Sequence, residues 1–125
     1  SSKETAQLLL RLLQEISPRA FICDSRQRLA LHVAAVFANN FSNILFDIAQ
    51  GILSKENLDF ELIKPIIMET AEKVQNHAPH VVQTGPAVRN DVNTINTHLQ
   101  FLSYSNNLSE IYQLLTEFII KSRLK

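Results

Sequence analysis

Glycine is scarce in this chain: Gly51 and Gly85 are the two glycines among its 125 residues. Loops that hold nucleotide phosphates repeat glycine within a few residues, because the backbone must approach the phosphate closely. Two glycines this far apart cannot build a GxGxxG or Walker-type loop. A nucleotide would therefore have to be held mainly by residues outside this chain.

Cysteine and net charge are limited as well. The single cysteine, Cys23, lies in an apolar run and can form no disulfide within the chain, which is typical of a protein from a reducing compartment. Twelve basic residues balance twelve acidic ones, so no large basic surface is available for nucleic acid or an anionic membrane. We expect a cytoplasmic protein with no nucleic-acid partner.

Long uninterrupted hydrophobic runs are also missing. A membrane-spanning helix needs roughly 20 mostly apolar residues. The most apolar region of the chain is interrupted by polar side chains, namely His32, Asn39, Asn40, Asn43 and Asp47. We therefore expect no membrane partner. The N-terminus has neither an initiator Met nor a signal-peptide pattern, which predicts that Ser1 is a boundary inside a longer protein.

The pattern of the first 23 residues predicts the end of a separate domain. Leucines at helical spacing predict a helix over residues 2–16, and the short apolar run 19–23 after Pro18 predicts a strand. A lone strand leaves its backbone groups unpaired, so it needs a sheet from residues beyond this chain or from another subunit. We therefore expect residues 1–23 to be a remnant of a preceding domain.

Residues 24–125 predict a second, all-α domain. Asp24 and Gln27 have the spacing of a capping box, and no proline or glycine follows until Gly51. The expected fold is a helical bundle around a long central helix, joined by an unusually long connection at residues 77–90. Periodicity and caps predict helices over residues 25–53, 59–76, 92–103 and 108–121.

A polar stripe on the long helix is the first candidate site. At about 100° per residue, His32, Asn39, Asn40 and Asn43 fall within roughly a third of the helix circumference. Such uncharged groups on an otherwise apolar helix can orient a polar ligand. The same groups can equally form hydrogen bonds to loop backbone or to a dimer partner. His32 can also be a core histidine whose hydrogen bonds are all made within the fold. The spacing does not decide among these interpretations.

A second candidate site lies where a Gly-Pro turn leads into a helix. The segment 84–91 delivers the guanidinium of Arg89 beside the backbone N–H groups of a helix N-terminus, an arrangement that can hold a carboxylate or phosphate. A local pair of Arg89 with Asp91 is the alternative. We expect no metal, because Pro79 disrupts a helical pairing of His77 with His80 and no further ligands complete a set.

These segments resemble one family. The run RLALHVAAVFANNF at residues 28–41, the run TGPAVRND at residues 84–91, and His98-Leu99 are similar to the C-terminal helical domain of unknown function in bacterial Rossmann-like proteins that carry an NADP oxidoreductase name. The resemblance extends in architecture to the C-terminal domains of pyrroline-carboxylate reductase and the hydroxyacid dehydrogenases. It implies that residues 1–23 are the last helix and strand of the Rossmann-like domain.

The resemblance also implies partners and site residues. It implies a homodimer, an unknown small-molecule substrate bound between the domains, and NADP or NAD bound mainly by the N-terminal domain. It implies catalytic roles for His32 and Asn40. The substrate-binding positions that it implies are Thr84, Gly85, Pro86, Arg89, Asp91 and His98.

Two departures from the family pattern bear on the chemistry. The hydroxyacid dehydrogenases carry a catalytic lysine one turn before the asparagine that Asn40 resembles, and this chain has Val36 there. Asn90 stands where the family often has glycine. Two hypotheses follow: a subunit of a redox enzyme, with His32 in a position to replace the lysine, or a non-catalytic helical module that dimerises or docks a partner.

Overall fold

A computed structural model describes residues 24–124 together with Lys3, Glu4, Gln7 and Arg11. Those four residues are helical, in agreement with the helix expected over residues 2–16. The rest of that helix and the strand expected at residues 19–23 lie outside the described residues.

One continuous helix runs from Ser25 to Lys55. It consists of α1 (Ser25–Ala35), a π-helical turn (Val36–Phe41) and α2 (Ser42–Lys55). The expected capping box is present: the Asp24 carboxylate accepts the Gln27 N–H at 2.8 Å, and the Gln27 side chain accepts the Asp24 N–H at 2.9 Å. The prediction of a long helix over residues 25–53 is confirmed, although nothing in the periodicity of these residues indicated the π turn.

The remaining helices follow the predicted order. A 3₁₀ turn at Phe60–Ile63 leads into α3 (Lys64–Asn76), so Pro65 lies in the first turn of α3, where its missing N–H removes no helix bond. After the connection come α4 (Val92–Phe101), a 3₁₀ turn at Leu102–Tyr104 and α5 (Asn106–Ser122). Asp91 caps α4 as expected, and Ser105 caps α5.

The fold class is confirmed. The part of the chain that the structure describes holds helices and turns and no strand. The chain divides into two compact units, residues 1–64 and residues 65–125. The domain boundary expected at residue 23 stays a prediction.

Burial differs from what the sequence led us to expect. A central helix packed on several sides should have buried residues, yet none of the residues from Ser25 to Lys55 is buried. Among the described residues, the buried apolar side chains are Ala87 and Leu102. A helix that is apolar on several faces needs a cover, and the described residues leave this one largely exposed.

The same helix also corrects our expectation that no segment of the chain is long and apolar enough to span a membrane. At 31 residues, Ser25–Lys55 is long and apolar enough to cross a membrane by length and composition. The interrupting polar residues do not prevent this, contrary to our argument from the sequence. A core helix of a soluble assembly satisfies the same two criteria.

Asn90 has a left-handed backbone with φ 53°, which explains how asparagine stands where the family often has glycine. We expect Asn90→Ala to lower the free energy of unfolding by about 1 kcal/mol, because alanine is strained in this conformation. Asn90→Gly should be neutral or slightly stabilising. Urea unfolding followed by circular dichroism measures both effects.

The exposed Asn93 in α4 provides the control. Asn93→Ala should change the free energy of unfolding by less than about 0.5 kcal/mol. Equal losses for Asn90→Ala and Asn90→Gly would contradict the backbone explanation.

Candidate functional site

The π turn places Asn40 in line with His32. In a regular α-helix these residues would point about 80° apart. Each residue of a π-helix turns by roughly 80° rather than 100°, so the direction of Asn40 lags by about 90°. The two exposed side chains therefore project from nearly the same line of the helix, about two turns apart.

Val36 lies on this line between His32 and Asn40. By the same rotation its side chain points within roughly 50° of both, and it is half-buried. The position at which related dehydrogenases carry a lysine thus faces the same way as the two candidate residues. An isopropyl group transfers no proton, so proton transfer along this line would depend on the imidazole of His32.

The same face continues into α2 as a shallow pocket of about 180 Å³. Asn43 and Asp47, both in the predicted stripe, line it together with Gln50 and two aromatic rings, Phe46 and Phe60. Gln50 was not among the predicted site residues, although it lies one turn beyond Asp47. The pocket offers amide and carboxylate groups beside apolar surface, which suits a small polar ligand.

The predicted Gly-Pro turn folds back on itself. Gly85 has φ 108°, and the Asp91 N–H donates to the Pro86 carbonyl at 2.9 Å. Ala87, at the centre of the turn, is one of the buried residues and anchors it. Arg89 remains exposed. The turn therefore holds a guanidinium in an accessible position at the start of α4.

Asp91 occupies the helix N-terminus itself. Its two carboxylate oxygens accept the Thr94 N–H at 3.1 Å and the Thr94 hydroxyl at 2.7 Å. These bonds lower the pKa of Asp91, and the charges of Arg89 and His98 lower it further. The chain's own carboxylate thus fills the place where the sequence suggested an external anion. An anionic ligand would meet the Arg89 guanidinium instead.

His98 pairs with Tyr112, which the sequence analysis missed. The His98 Nδ1 atom and the Tyr112 hydroxyl lie 2.7 Å apart, and the two rings pack edge to face at 5.7 Å. Burial raises the pKa of Tyr112. The tautomer of His98 decides which of the two groups donates this hydrogen bond. The spacing along α5 marked Tyr112 as an ordinary helix residue, since only the packing of α5 on α4 brings it to His98.

Of the two histidines near the connection, His80 makes a structural contact. The Arg123 guanidinium donates to the His80 carbonyl at 2.7 Å and lies 3.2 Å from His80 Nε2. Within residues 24–124 and the four described N-terminal residues, no group of three or more potential ligands could hold a metal. Arg123 therefore ties the end of α5 to the connection.

Comparisons with known proteins identify the family of this chain. The family described as "Domain of unknown function (DUF2520)" matches residues 1–119, so the chain belongs to that family. A solved structure, titled as a "putative NADP oxidoreductase" from Bacteroides fragilis, is 43% identical and superposes with a TM-score of 0.77. The match covers 79% of this chain and 38% of that one. A search of curated proteins found no match.

These matches confirm the resemblance drawn from the motifs. The chain spans 38% of the length of the Bacteroides protein. The site assignments within it stay predictions, because the matches report no functional residues.

The lowered pKa of Asp91 predicts a pH-dependent stability. Above the unfolded-state value near 3.8 the carboxylate is ionised and stabilises the fold; this contribution is lost as the pH falls through the lower folded-state pKa. We therefore expect Asp91→Asn to lower the free energy of unfolding more at pH 7 than at pH 3, as measured by urea unfolding.

Thr97→Ala is the control for this experiment. Its hydroxyl donates to the Asn93 carbonyl in the same helix, without an ionisable partner. Its effect on stability should be similar at both pH values. An Asp91→Asn effect that does not change with pH would contradict the proposed cause.

Proposed function

We propose that this chain is the C-terminal dimerisation and substrate-pocket domain of an NAD(P)-dependent oxidoreductase. The observation that carries the proposal is the likeness, at 43% identity over 79% of the chain, to the Bacteroides protein titled as an NADP oxidoreductase. In this proposal residues 1–23 end a Rossmann-like N-terminal domain, and residues 24–125 form one wall of the pocket. The protein is cytoplasmic.

The cofactor, NADP or NAD, is bound mainly by the N-terminal domain in this proposal. The chain's two glycines supply no phosphate loop. The α4 N-terminus, which could otherwise receive a phosphate, already holds the carboxylate of Asp91. The residues present therefore suit the substrate side of the pocket rather than the cofactor side.

On the substrate side, His32 and Asn40 supply hydrogen bonds from one line of the long helix. Oxidation or reduction of a hydroxyl or carbonyl requires a proton to move as well as a hydride, and the imidazole of His32 has the ring nitrogens to donate or accept it. Arg89 binds an anionic group of the substrate, and Asp91 fixes the turn that carries Arg89. Thr84, Gly85, Pro86 and His98 complete the proposed substrate-binding set.

Dimerisation is supported by the exposure of the long helix. Large apolar side chains along it are widely exposed, including Leu29 at 62% and Phe37 at 64%. Exposed apolar surface on this scale marks an interaction site. A homodimer would cover it.

The absence of a lysine at Val36 favours a second candidate function. In this alternative the chain is a non-catalytic helical module that dimerises or docks a partner, and the polar side chains fix the register of that contact. Asn40→Ala separates the two candidates. A pocket role predicts a stable dimer with weaker ligand binding, whereas the module role predicts a less stable dimer by sedimentation equilibrium.

The proposed function is tested on the longer native protein. We expect it to bind NADPH or NADH in isothermal calorimetry. With a substrate found by screening small hydroxy and keto compounds, His32→Ala and Arg89→Ala should each lower kcat/KM by about a hundredfold, the usual effect of losing a proton-transfer or charge-binding group.

His77→Ala is the matched control, since His77 is an exposed histidine outside the proposed site. Its kcat/KM should equal that of the wild type. A longer protein that binds no nicotinamide nucleotide, or unchanged turnover in both site variants, would remove the oxidoreductase proposal.

A further inference from the structure

The long helix carries two adjacent rows of residues that differ in size. The large row repeats every fourth residue and consists of Leu29, Val33, Phe37, Phe41 and Leu45. The small row lies one residue later along the chain and consists of Ala30, Ala34, Ala38 and Ser42. No lysine, arginine, aspartate or glutamate occurs between Leu29 and Phe46.

The π turn makes both rows straight. In a regular α-helix, each step of four residues advances about 40° around the axis, so five such residues would spread over about 160°. The turn at Val36–Phe41 removes roughly 100° of this rotation, which leaves the large row within about 60°. The edge-to-face contact of Phe37 with Phe41, at 5.0 Å, lies at the centre of the row.

The exposed area of this face is near what a stable dimer requires. The five large side chains are 40% to 64% exposed. From typical side-chain areas they leave roughly 550 Å² uncovered, and the exposed alanines of the small row bring the face to roughly 700 Å². A standard interface buries about 800 Å² on each partner.

A large row beside a small row is complementary to a second copy of itself. A ridge of large side chains packs into a groove, and a row of alanines forms such a groove on a helix surface. Under a two-fold axis, the ridge of each copy meets the groove of the other. We propose that this two-row face binds the same face of a second copy of the chain; the inference rests on the dimerisation in the proposed function and names its surface.

A lipid cover suits this helix less well. His32 and Asn40 lie midway along the same helix, and their polar groups would lack partners in hydrocarbon. In the two-fold dimer they remain free, because the two rows together span roughly 160° of the circumference and the polar line lies outside them. Dimerisation thus leaves the proposed pocket line open.

The test compares variants of the full chain by sedimentation velocity. We expect a wild-type dimer, and Phe37→Glu should raise its dissociation constant at least a hundredfold, since two buried charges would face each other's apolar groove. Met68→Glu is the matched control, because Met68 in α3 is 62% exposed against 64% for Phe37. It should leave the dimer unchanged.

A second experiment exchanges large and small side chains and introduces no charge. Ala34→Phe fills the groove and Phe37→Ala trims the ridge, so each variant alone should dimerise at least tenfold more weakly than the wild type. When the two variants are mixed, a filled groove can meet a trimmed ridge, and the other contact stays native. The mixed dimer should therefore be more stable than either parent dimer.

Each result has a defined meaning. A wild-type dimer that resists Phe37→Glu and Ala34→Phe overturns this inference but leaves dimerisation through another surface, and the oxidoreductase proposal, intact. A wild-type monomer overturns the inference, as does a chain that is monomeric in buffer and binds phosphatidylcholine vesicles. If the longer protein forms the dimer but binds no nicotinamide nucleotide, the oxidoreductase proposal is overturned and this inference stands.

Discussion

The π turn at Val36–Phe41 is the constraint on which the faces of the long helix depend. By adding about one residue to a turn, it offsets the drift that a four-residue repeat undergoes in an α-helix. It thereby collects large apolar, small and polar side chains into separate straight lines. Without it, Asn40 would point away from His32, and the large row would wind around the helix. π turns inside α-helices occur frequently at functional sites, and this one contains Asn39 and Asn40 of the motif at residues 28–41.

The apolar character of this helix also defines what the rest of the protein must do. None of its residues is buried in the described structure, although nothing charged interrupts it between Leu29 and Phe46. An isolated helix of this kind would be poorly soluble, so association is a condition of its stability. The chain spans 38% of the length of the Bacteroides protein that it resembles, and the proposed dimer would cover the two-row face of this helix.

In the second unit, hydrogen bonds together with the buried Ala87 organise the candidate site. Asp91 ties the Gly-Pro turn to α4 through Thr94, and the same carboxylate fills the helix N-terminus that the sequence had suggested for a ligand. Arg89 is thereby left as the group that can meet an anion. Tyr112 enters from α5 and holds His98 at 2.7 Å, so a family-motif histidine acquires a partner that the motif does not contain.

The sequence by itself determined the elements whose causes are local. The Asp24 capping box, the Asp91 cap, the place of Pro65 and the left-handed Asn90 all depend on residues within four positions of one another, and the motifs sufficed to find the family. Tertiary structure decided what depends on distant residues or on backbone register. The π turn has no distinct periodicity, the pairing of Tyr112 with His98 requires α5 to pack on α4, and burial of the long helix depends on surfaces that its own sequence does not encode.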